Sequence, residues 1–203
     1  MKGVSNESTN TDKMRQHNLA KQKHVGDSMK HEDGDLMVCT DLVDQSRTCA
    51  LNGCSDFVNI LAVLQANPDD KALASDVDPQ LIMKVFFKEK VNVSNITLRF
   101  NKPPSVSEDD SEIYSKPKKI KLFPNAPDLD FGDIEDQTAA AEKIVENDAA
   151  EEAKITCIGS KFQRLESISV FVESAIDEEA TRSFINRLSI VGHQTESYHA
   201  SYK

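Results

Sequence analysis

The feature that most constrains this chain is a nearly continuous apolar run, LIMKVFF, at residues 81–87. A short run of this kind is typical of a strand buried inside a sandwich. The polar residues 88–90 (KEK) then predict a turn, and beyond them the apolar positions are odd up to Val93 and even from Ile96. Because a change of parity would turn the apolar side chains to the wrong face, we predict a bulge or bend at Ser94–Asn95.

A period of two recurs further along the chain and predicts more strands. The segments are KKIKLF (118–123), SISVFVES (167–174) and RLSIVG (187–192). Residues 138–153 contain good helix formers, but only Ile144 and Val145 could anchor a helical face, so a helix there stays an open alternative. At least five short strands, one weak helix and long acidic loops predict an all-β fold, an antiparallel β-sandwich.

The first 35 residues differ from the rest of the chain. Residues 1–35 contain no Ile, Phe, Tyr or Trp, and their few apolar residues follow no period. Such a segment cannot bury enough apolar surface to offset the entropy of ordering, so we predict a disordered N-terminal tail. The remaining residues are long enough for a self-sufficient core. We expect a folded domain at 36–195 and a flexible C-terminal tail at 196–203.

The charge of the chain is confined to the predicted domain. Residues 36–203 hold 18 Lys/Arg and 28 Asp/Glu, which accounts for the whole net charge of −10. An acidic domain is a poor binder of nucleic acid or anionic membranes and suits a partner with basic patches. We find no apolar run near 18 residues and no apolar segment of a secretory signal, so we expect a cytoplasmic or nuclear protein with reduced thiols.

Motifs that carry catalytic chemistry are missing from the sequence. It contains no phosphate-binding glycine loop, no nucleophile elbow, no H-E-x-x-H and no C-x-x-C. Cys49 and Cys54 approach zinc-ligand spacing, but no histidine lies between His31 and His193 to complete a site. We therefore interpret the cysteines as small hydrophobic residues. No catalytic residue, cofactor or metal is expected. The cluster KPKKIKL (116–122) has the look of a nuclear-localisation signal, but the outward face of a strand is the favoured explanation of its lysines.

Five blocks of the chain, in order, resemble the PITH domain, a proteasome-interacting module found C-terminal to thioredoxin in some thioredoxin-like proteins. The first is DLVD (41–44) followed by LN (51–52), and the second matches L-x-S-D-x-D-x-Q-L-[LI] with Leu73, Ser75, Asp76, Asp78, Gln80, Leu81 and Ile82. The others are Pro117, Lys118, Ile120, Lys121, Phe123 and Asn125; Lys161, Phe162, Gln163, Leu165, Ser167, Ile168, Val170 and Phe171; and Glu179, Thr181 and Arg182. The resemblance covers about residues 36–195.

This resemblance implies a jelly-roll-like β-sandwich similar to galactose-binding domains. It also implies a non-catalytic adaptor that associates with the proteasome, with the regulatory particle as the expected partner, and it brings no catalytic residues. The chain departs from the family at Ala50, where a cysteine usually precedes the L-N pair, with Cys49 one residue earlier. The resemblance is to the stand-alone form without a thioredoxin domain, and we expect a monomer.

Three roles stay open for Asp76 and Asp78, with Gln80 beside them. They brace a neighbouring loop by hydrogen bonds to backbone N–H groups, present negative charge to a basic partner, or hold a hard cation. The sequence favours the first role, because one D-x-D with one nearby glutamine offers few ligands.

The C-terminal residues after Gly192 give a second candidate contact with a partner. The segment HQTESYHASYK follows the last predicted strand, so we expect its backbone to be free of the sheet. Aromatic side chains on such a tail can anchor in a partner's pocket, although a frayed terminus without a role is the alternative. The candidate residues are His193, Tyr198, His199 and Tyr202.

A small-molecule or carbohydrate-binding sandwich is the alternative function. It rests on the galactose-binding-like architecture alone. Aromatic platforms usually line sugar sites, and this chain has no Trp and only three Tyr.

Overall fold

The computed structural model describes residues 39–65, 71–107 and 111–195. The predicted tails, 1–35 and 196–203, lie outside the described residues. The described part is built from strands, and the pairs are antiparallel except for β4 with β9. The strands are β1 (Cys49–Leu51), β2 (Leu73–Ala74), β3 (Leu81–Arg99), β4 (Tyr114–Ser115), β5 (Pro117–Pro124), β6 (Ala141–Ile144), β7 (Glu152–Thr156), β8 (Leu165–Ala175), β9 (Arg182–Ile185) and β10 (Arg187–Gln194). The predicted all-β antiparallel architecture is confirmed.

Helical structure among the described residues is short. The α-helix α1 (Ile60–Leu64) is capped by Asn59, whose side chain accepts from the Ala62 N–H at 3.1 Å. Two 3-10 turns span Cys39–Leu42 and Ser160–Phe162. None of these helices is long and apolar enough to cross a membrane.

Strand β3 is the centre of the fold. Its first half, Leu81–Phe86, pairs with β8, and β1 joins its other edge. Its second half, from Val91, pairs with β10 and β7. The turn predicted at residues 88–90 is wrong, because β3 is continuous through Arg99. The register to β8 nevertheless shifts between Phe86 and Val91, so the pairing partners change where the turn was expected.

The bulge predicted at Ser94–Asn95 is confirmed. Along the β3–β10 pair, Val93 lies opposite Gly192 and Asn95 lies opposite Val191, so Ser94 is an extra residue in the ladder. The two backbones approach closely at this point, because a Cβ added to Gly192 would stand 2.1 Å from the carbonyl oxygen of Asn92.

The open question at residues 138–153 is answered by strands, not a helix. Strand β6 pairs with β5, with Glu142 opposite Lys121, and β7 follows in the same segment. Val145 is buried while Ile144 is 48% exposed, so the two apolar residues do not share a helical face. Backbone pairing to an existing sheet has outweighed the intrinsic helix preference of the alanines and glutamates.

The central strands are buried on both faces, which explains the nearly continuous apolar run that begins at Leu81. Met83 and Val85 face the main core, whereas Ile82 faces a second cluster with Phe171. Phe123 of β5 belongs to this cluster, and the loop after β5 covers the second face with Leu129 and Ile134.

Because neighbouring strands are antiparallel, the loops that connect them lie at two opposite ends of the sandwich. At one end, which we call the motif end, Asn52 after β1 lies beside Gln80 before β3, next to the loop after β8. At the other end, which we call the opposite end, Thr48 lies beside Phe86, next to Asn125 after β5. Five to seven strand residues separate the ends, roughly 20 Å.

Candidate functional site

The motif loop, residues 75–80, is fixed by one asparagine from another loop. Asn52 has a left-handed backbone, φ 62°. Its Nδ2 donates to the Gln80 carbonyl at 2.6 Å and to Oδ1 of Asp78 at 3.1 Å. Its Oδ1 accepts from the Val77 N–H at 3.0 Å, and its own carbonyl accepts from the Asp76 N–H at 3.0 Å. Asn52 thus holds the motif loop along most of its length.

Asp78 closes the motif loop from within. Its Oδ1 accepts from the Gln80 N–H at 2.8 Å, an Asx turn, while it also accepts from the Asn52 amide. Asp78 is therefore the bracing carboxylate, whereas Asp76 has a different partner. Within the described residues, no group of three or more His, Cys, Asp or Glu side chains is arranged to hold a metal ion.

Arg182, the first residue of β9, joins the motif loop to two other loops. Its Nη1 donates to the Cys54 thiol at 3.3 Å and to the Tyr114 hydroxyl at 3.5 Å. Its Nη2 lies 3.8 Å from Oδ1 of Asp76, and its Nε lies 3.5 Å from Oε2 of Glu112. Burial alone would lower the pKa of Arg182, but Tyr114, Cys54 and Glu112 more than offset it and raise the pKa. The guanidinium therefore stays charged and ties these segments together.

The remaining family-pattern residues at the motif end are structural. Ser75 is fully buried, its N–H donates to the Ser183 carbonyl, and its Oγ accepts from the Ser183 N–H, both at 2.9 Å. Thr181 Oγ1 accepts from the Ile113 N–H at 2.9 Å. Their hydrogen bonds place Arg182 between the two loops.

One apolar side chain stands out from this braced surface. Val77 is 82% exposed between Asp76 and Asp78, which are also exposed. Beside it runs a groove of about 580 Å³ whose wall includes Asp78, Pro79 and Gln80 from the motif loop. The other charged residues of the groove are Lys118, Glu173, Asp177 and Glu178. The groove is acidic, with one lysine against four carboxylates.

The family-pattern residues of β5 lie at different places along the strand and do not form one site. Lys121 Nζ lies 2.8 Å from Oε2 of Glu173 on β8, and Phe123 is buried in the second cluster. Asn125 has a left-handed backbone, φ 51°, and its Oδ1 accepts from the Glu166 N–H at 2.8 Å. Asn125 therefore shapes a corner at the opposite end.

The block at Lys161 also lies away from the motif loop. Phe162 is buried in the main core at 2% exposure, whereas Lys161 and Gln163 are exposed. The structure therefore brings Asn52, Thr181 and Arg182 together with the motif loop, which includes Ser75, and leaves the blocks at β5 and at Lys161 elsewhere.

His193 does not belong to a free tail. Strand β10 continues to Gln194, with His193 opposite Asn92, and the Thr195 N–H donates to the Lys90 carbonyl at 2.8 Å. The expectation that the chain leaves the sheet after Gly192 is wrong, because the ladder persists beyond the bulge. The other candidate tail residues, Tyr198, His199 and Tyr202, lie outside the described residues.

The side chains of three cysteines are described, those of Cys49, Cys54 and Cys157, and each is a free thiol. Cys54 is buried against Arg182, Cys49 is exposed, and Cys157 is half-buried. Burial raises the pKa of Cys157 to about 11, so this thiol stays protonated at neutral pH and is a poor nucleophile.

Sequence reasoning missed the residues that meet around Arg182. Cys54 comes from the loop after β1, whereas Glu112 and Tyr114 come from the segment that enters β4, and no local pattern connects the two. Asn52 was visible within the L-N block, and an asparagine after a short strand is a residue that tolerates the left-handed turn found here.

Comparison with known families supports the resemblance over most of the chain. The family profile described as "PITH domain" matches residues 29–203. Thioredoxin-like protein 1 of Schizosaccharomyces pombe is 34% identical over 140 residues, 68% of this chain and 45% of that protein. PITH domain-containing protein 1 of Danio rerio is 27% identical over 134 residues, 66% of this chain and 58% of that protein. The match spans about half the length of these curated relatives.

Solved structures share the fold at very low sequence identity. A chitobiase fragment from Bacteroides thetaiotaomicron has a TM-score of 0.50 at 8% identity, covering 76% of this chain and 94% of that one. A family 32 carbohydrate-binding module of C. perfringens NanJ, solved with galactose, has a TM-score of 0.47 at 13% identity, covering 72% and 95%. The likeness to the chitobiase fragment concerns the fold alone.

Proposed function

The chain belongs to the PITH domain family, and from that premise we propose that it is a non-catalytic adaptor that associates with the proteasome regulatory particle through the motif end. We place it in the cytoplasm or nucleus, as a monomer without a cofactor. The proteasome partner is inferred from the family resemblance. The geometry of the motif end supports the position of the contact.

The observation that carries this proposal is the exposure of Val77 on a fixed backbone. The side chain is 82% exposed, yet the loop that bears it is held by Asn52. A preorganised loop loses little conformational entropy on binding, and an apolar side chain that becomes buried at an interface contributes favourable free energy. Val77 has the position of a binding anchor ringed by polar groups.

Charge around Val77 indicates the chemistry of the partner surface. Asp76 and Asp78 flank it, and the adjoining groove is acidic. Complementary charge steers association and fixes orientation more than it adds affinity. We therefore expect a lysine- or arginine-bearing surface with an apolar recess for Val77.

Co-sedimentation of the purified chain with purified 26S proteasomes tests the proposal. Val77→Ser should reduce the bound fraction at least about threefold, because it removes an apolar anchor. Ile158→Ser is the matched control, since Ile158 is 80% exposed on the loop after β7, away from the motif loop. Equal binding by wild type and Val77→Ser, or equal loss in both variants, would place the contact elsewhere.

The surroundings of Tyr114 do not favour carbohydrate binding. Tyr114, the one tyrosine among the described residues, packs edge-on against Phe57 at 5.7 Å and lies under Arg182 at 5.9 Å. The ring is half-buried, so it is not a fully exposed aromatic platform of the kind that usually lines a sugar site.

A further inference from the structure

A second cavity, at the opposite end of the sandwich, carries the opposite charge. It encloses about 340 Å³, and its charged lining consists of Arg47, Lys90, Arg164 and Glu166. Three cations and one carboxylate give it a net positive charge in a chain whose own net charge is −10. We call it the basic pocket.

Arg47 is held at the pocket wall by an aromatic ring. Its guanidinium carbon lies 4.3 Å from the centroid of the Phe86 ring, a cation–π contact. Among the described residues, the structure records no ion pair for Arg47 or Arg164. Within the part of the chain that the structure describes, neither arginine is thus within ion-pair distance of a carboxylate, although the charge of Arg47 contributes to lowering the pKa of Asp44 and of Glu166.

Lys90 has an internal partner that an incoming anion could replace. Its Nζ lies 2.9 Å from Oε1 of Glu166, and both side chains are largely exposed, at 48% and 69%. The hydrogen bond from Lys90 lowers the pKa of Glu166, with a further contribution from Arg47, so Glu166 is ionised at neutral pH. An exposed pair of this kind is weak and is exchanged at little cost.

The backbone around the pocket is fixed by two left-handed residues. Arg164 has φ 55°, and its N–H donates to Oδ1 of Asn92 at 2.9 Å. Asn125 has φ 51°, and its Oδ1 accepts from the N–H groups of Glu166 and Ser167 at 2.8 and 3.3 Å. The bases of the charged side chains are therefore positioned before any ligand arrives.

We propose that the basic pocket binds a carboxylate from an acidic peptide segment of a partner protein. Arg47 and Arg164 contact the peptide carboxylate. Lys90 breaks its ion pair with Glu166 and pairs with this carboxylate instead. The proposal does not rest on the motif loop, which lies roughly 20 Å away.

Size and charge select this occupant. A cavity of about 340 Å³ admits one or two side chains. The surrounding negative charge repels nucleic acid and anionic membranes, which carry many charges over a large surface, more strongly than a short acidic segment with a few carboxylates. An arginine stacked on Phe86 keeps the edge of its guanidinium available, and that edge matches a carboxylate in two parallel hydrogen bonds. Phe86 and Pro127 in the wall suit the aliphatic stem of a glutamate.

A fluorescein-labelled hexaglutamate peptide, followed by fluorescence anisotropy in about 50 mM NaCl, is the probe. We expect saturable binding, weakened about tenfold in the double variant Arg47→Ala/Arg164→Ala. The matched control is Lys143→Ala/Lys154→Ala, which removes two exposed lysines outside the pocket and should leave binding unchanged. Glu166→Gln should strengthen binding about threefold, because it removes the competing carboxylate.

Several outcomes would overturn the proposal. They are non-saturable binding, the same loss in the control as in the arginine variant, or displacement of the peptide by inorganic phosphate at an equal concentration, which would mark a site for a free oxyanion. If the arginine variant has a lowered melting temperature, the test rests on Glu166→Gln. In that variant an unchanged or weaker affinity for the peptide contradicts the proposal. Val77→Ser should bind the peptide normally, which separates this site from the proposed proteasome contact.

Discussion

The side-chain amide of Asn52 lies 3.1 Å from the carboxylate of Asp78, a residue 26 positions further along the chain. This contact joins the end of β1 to the loop that enters β3. The same amide also donates to the Gln80 carbonyl. The motif loop is therefore held rigidly by the rest of the fold. A rigid loop of this kind can present Val77 in one conformation.

Asn52→Ala should lower the free energy of unfolding by about 2–3 kcal/mol. The change removes several partly exposed hydrogen bonds and puts alanine at φ 62°, where asparagine is tolerated better. Urea unfolding at neutral pH measures the loss. Asn147→Ala is the control, since Asn147 makes a local bond to the Ala149 N–H, and it should cost about 0.5–1 kcal/mol. Equal losses in the two variants would contradict the bracing role.

The two aspartates of the motif loop should differ in stability. Asp78→Ala removes the acceptor of the Gln80 N–H and of the Asn52 amide and should cost about 1–2 kcal/mol. Asp76→Ala removes a contact to Arg182 at 3.8 Å from a side chain that is 52% exposed, so it should cost about 0.5 kcal/mol or less. Thermal and urea unfolding of both variants under one condition provide the comparison, and a larger loss in Asp76→Ala would reverse our assignment.

Gly192 is required where β10 crosses the bulge of β3. In Gly192→Ala the new methyl carbon would stand 2.1 Å from the Asn92 carbonyl oxygen, so one backbone must move. We expect a loss of about 2–3 kcal/mol, the usual cost of overpacking. Gly132→Ala, whose nearest neighbour is the exposed Asp130 side chain at 3.3 Å, should change stability by about 0.5 kcal/mol or less. A tolerated Gly192→Ala would show that the strands can separate here.

The ion pairs of Glu173 with Lys119 and Lys121 should make the free energy of unfolding depend on pH. Burial alone would raise the pKa of Glu173, but Lys121 and Lys119 more than offset it and lower the pKa below 4.5. The stabilisation is therefore present above pH 4.5 and is lost as pH falls through the folded-state pKa. Glu173→Gln should cost about 1 kcal/mol at pH 7 and converge with wild type in acid. Urea unfolding from pH 7 down to about pH 3 gives the profile, with Glu146→Gln as an exposed control; a gap that does not close in acid would exclude this origin.

Apolar runs and period-two patterns in the sequence predicted two kinds of strand. These are the strands buried on both faces and the strands in which apolar and polar residues alternate regularly. The change of parity between Val93 and Ile96 was sufficient to place the bulge, because side-chain alternation in a strand is strict. The segment at 138–153 was not predictable, since its alanines and glutamates favour a helix while pairing with β5 makes part of it a strand.

The candidate site was predictable in part. The family resemblance named Ser75, Asp78 and Arg182, but the hydrogen bond from Arg182 to Cys54 joins residues 128 positions apart. No local signal reports such a contact, because the register of the whole sheet decides it. The basic pocket escaped notice for the same reason, since Arg47 and Arg164 lie in different loops.

The last prediction concerns the C-terminal segment beyond β10. Tyr198, His199 and Tyr202 remain candidate anchors for the partner, and deletion of residues 196–203 tests them. The cut must follow Thr195, because removing His193 and Gln194 would take away paired strand residues and destabilise the sheet. The melting temperature of this truncated chain should stay nearly unchanged, since all the paired residues of β10 through Gln194 are kept.

If the segment contacts the proteasome, the same truncation should reduce co-sedimentation several-fold, roughly the effect of losing one aromatic anchor. Combining it with Val77→Ser then shows whether the two contacts act together. Independent contacts should reduce binding by the product of the single effects, as distant sites usually add in free energy. Full binding by the truncated chain, with loss in Val77→Ser alone, would assign the interface to the motif end and leave the terminal aromatics without a role in binding.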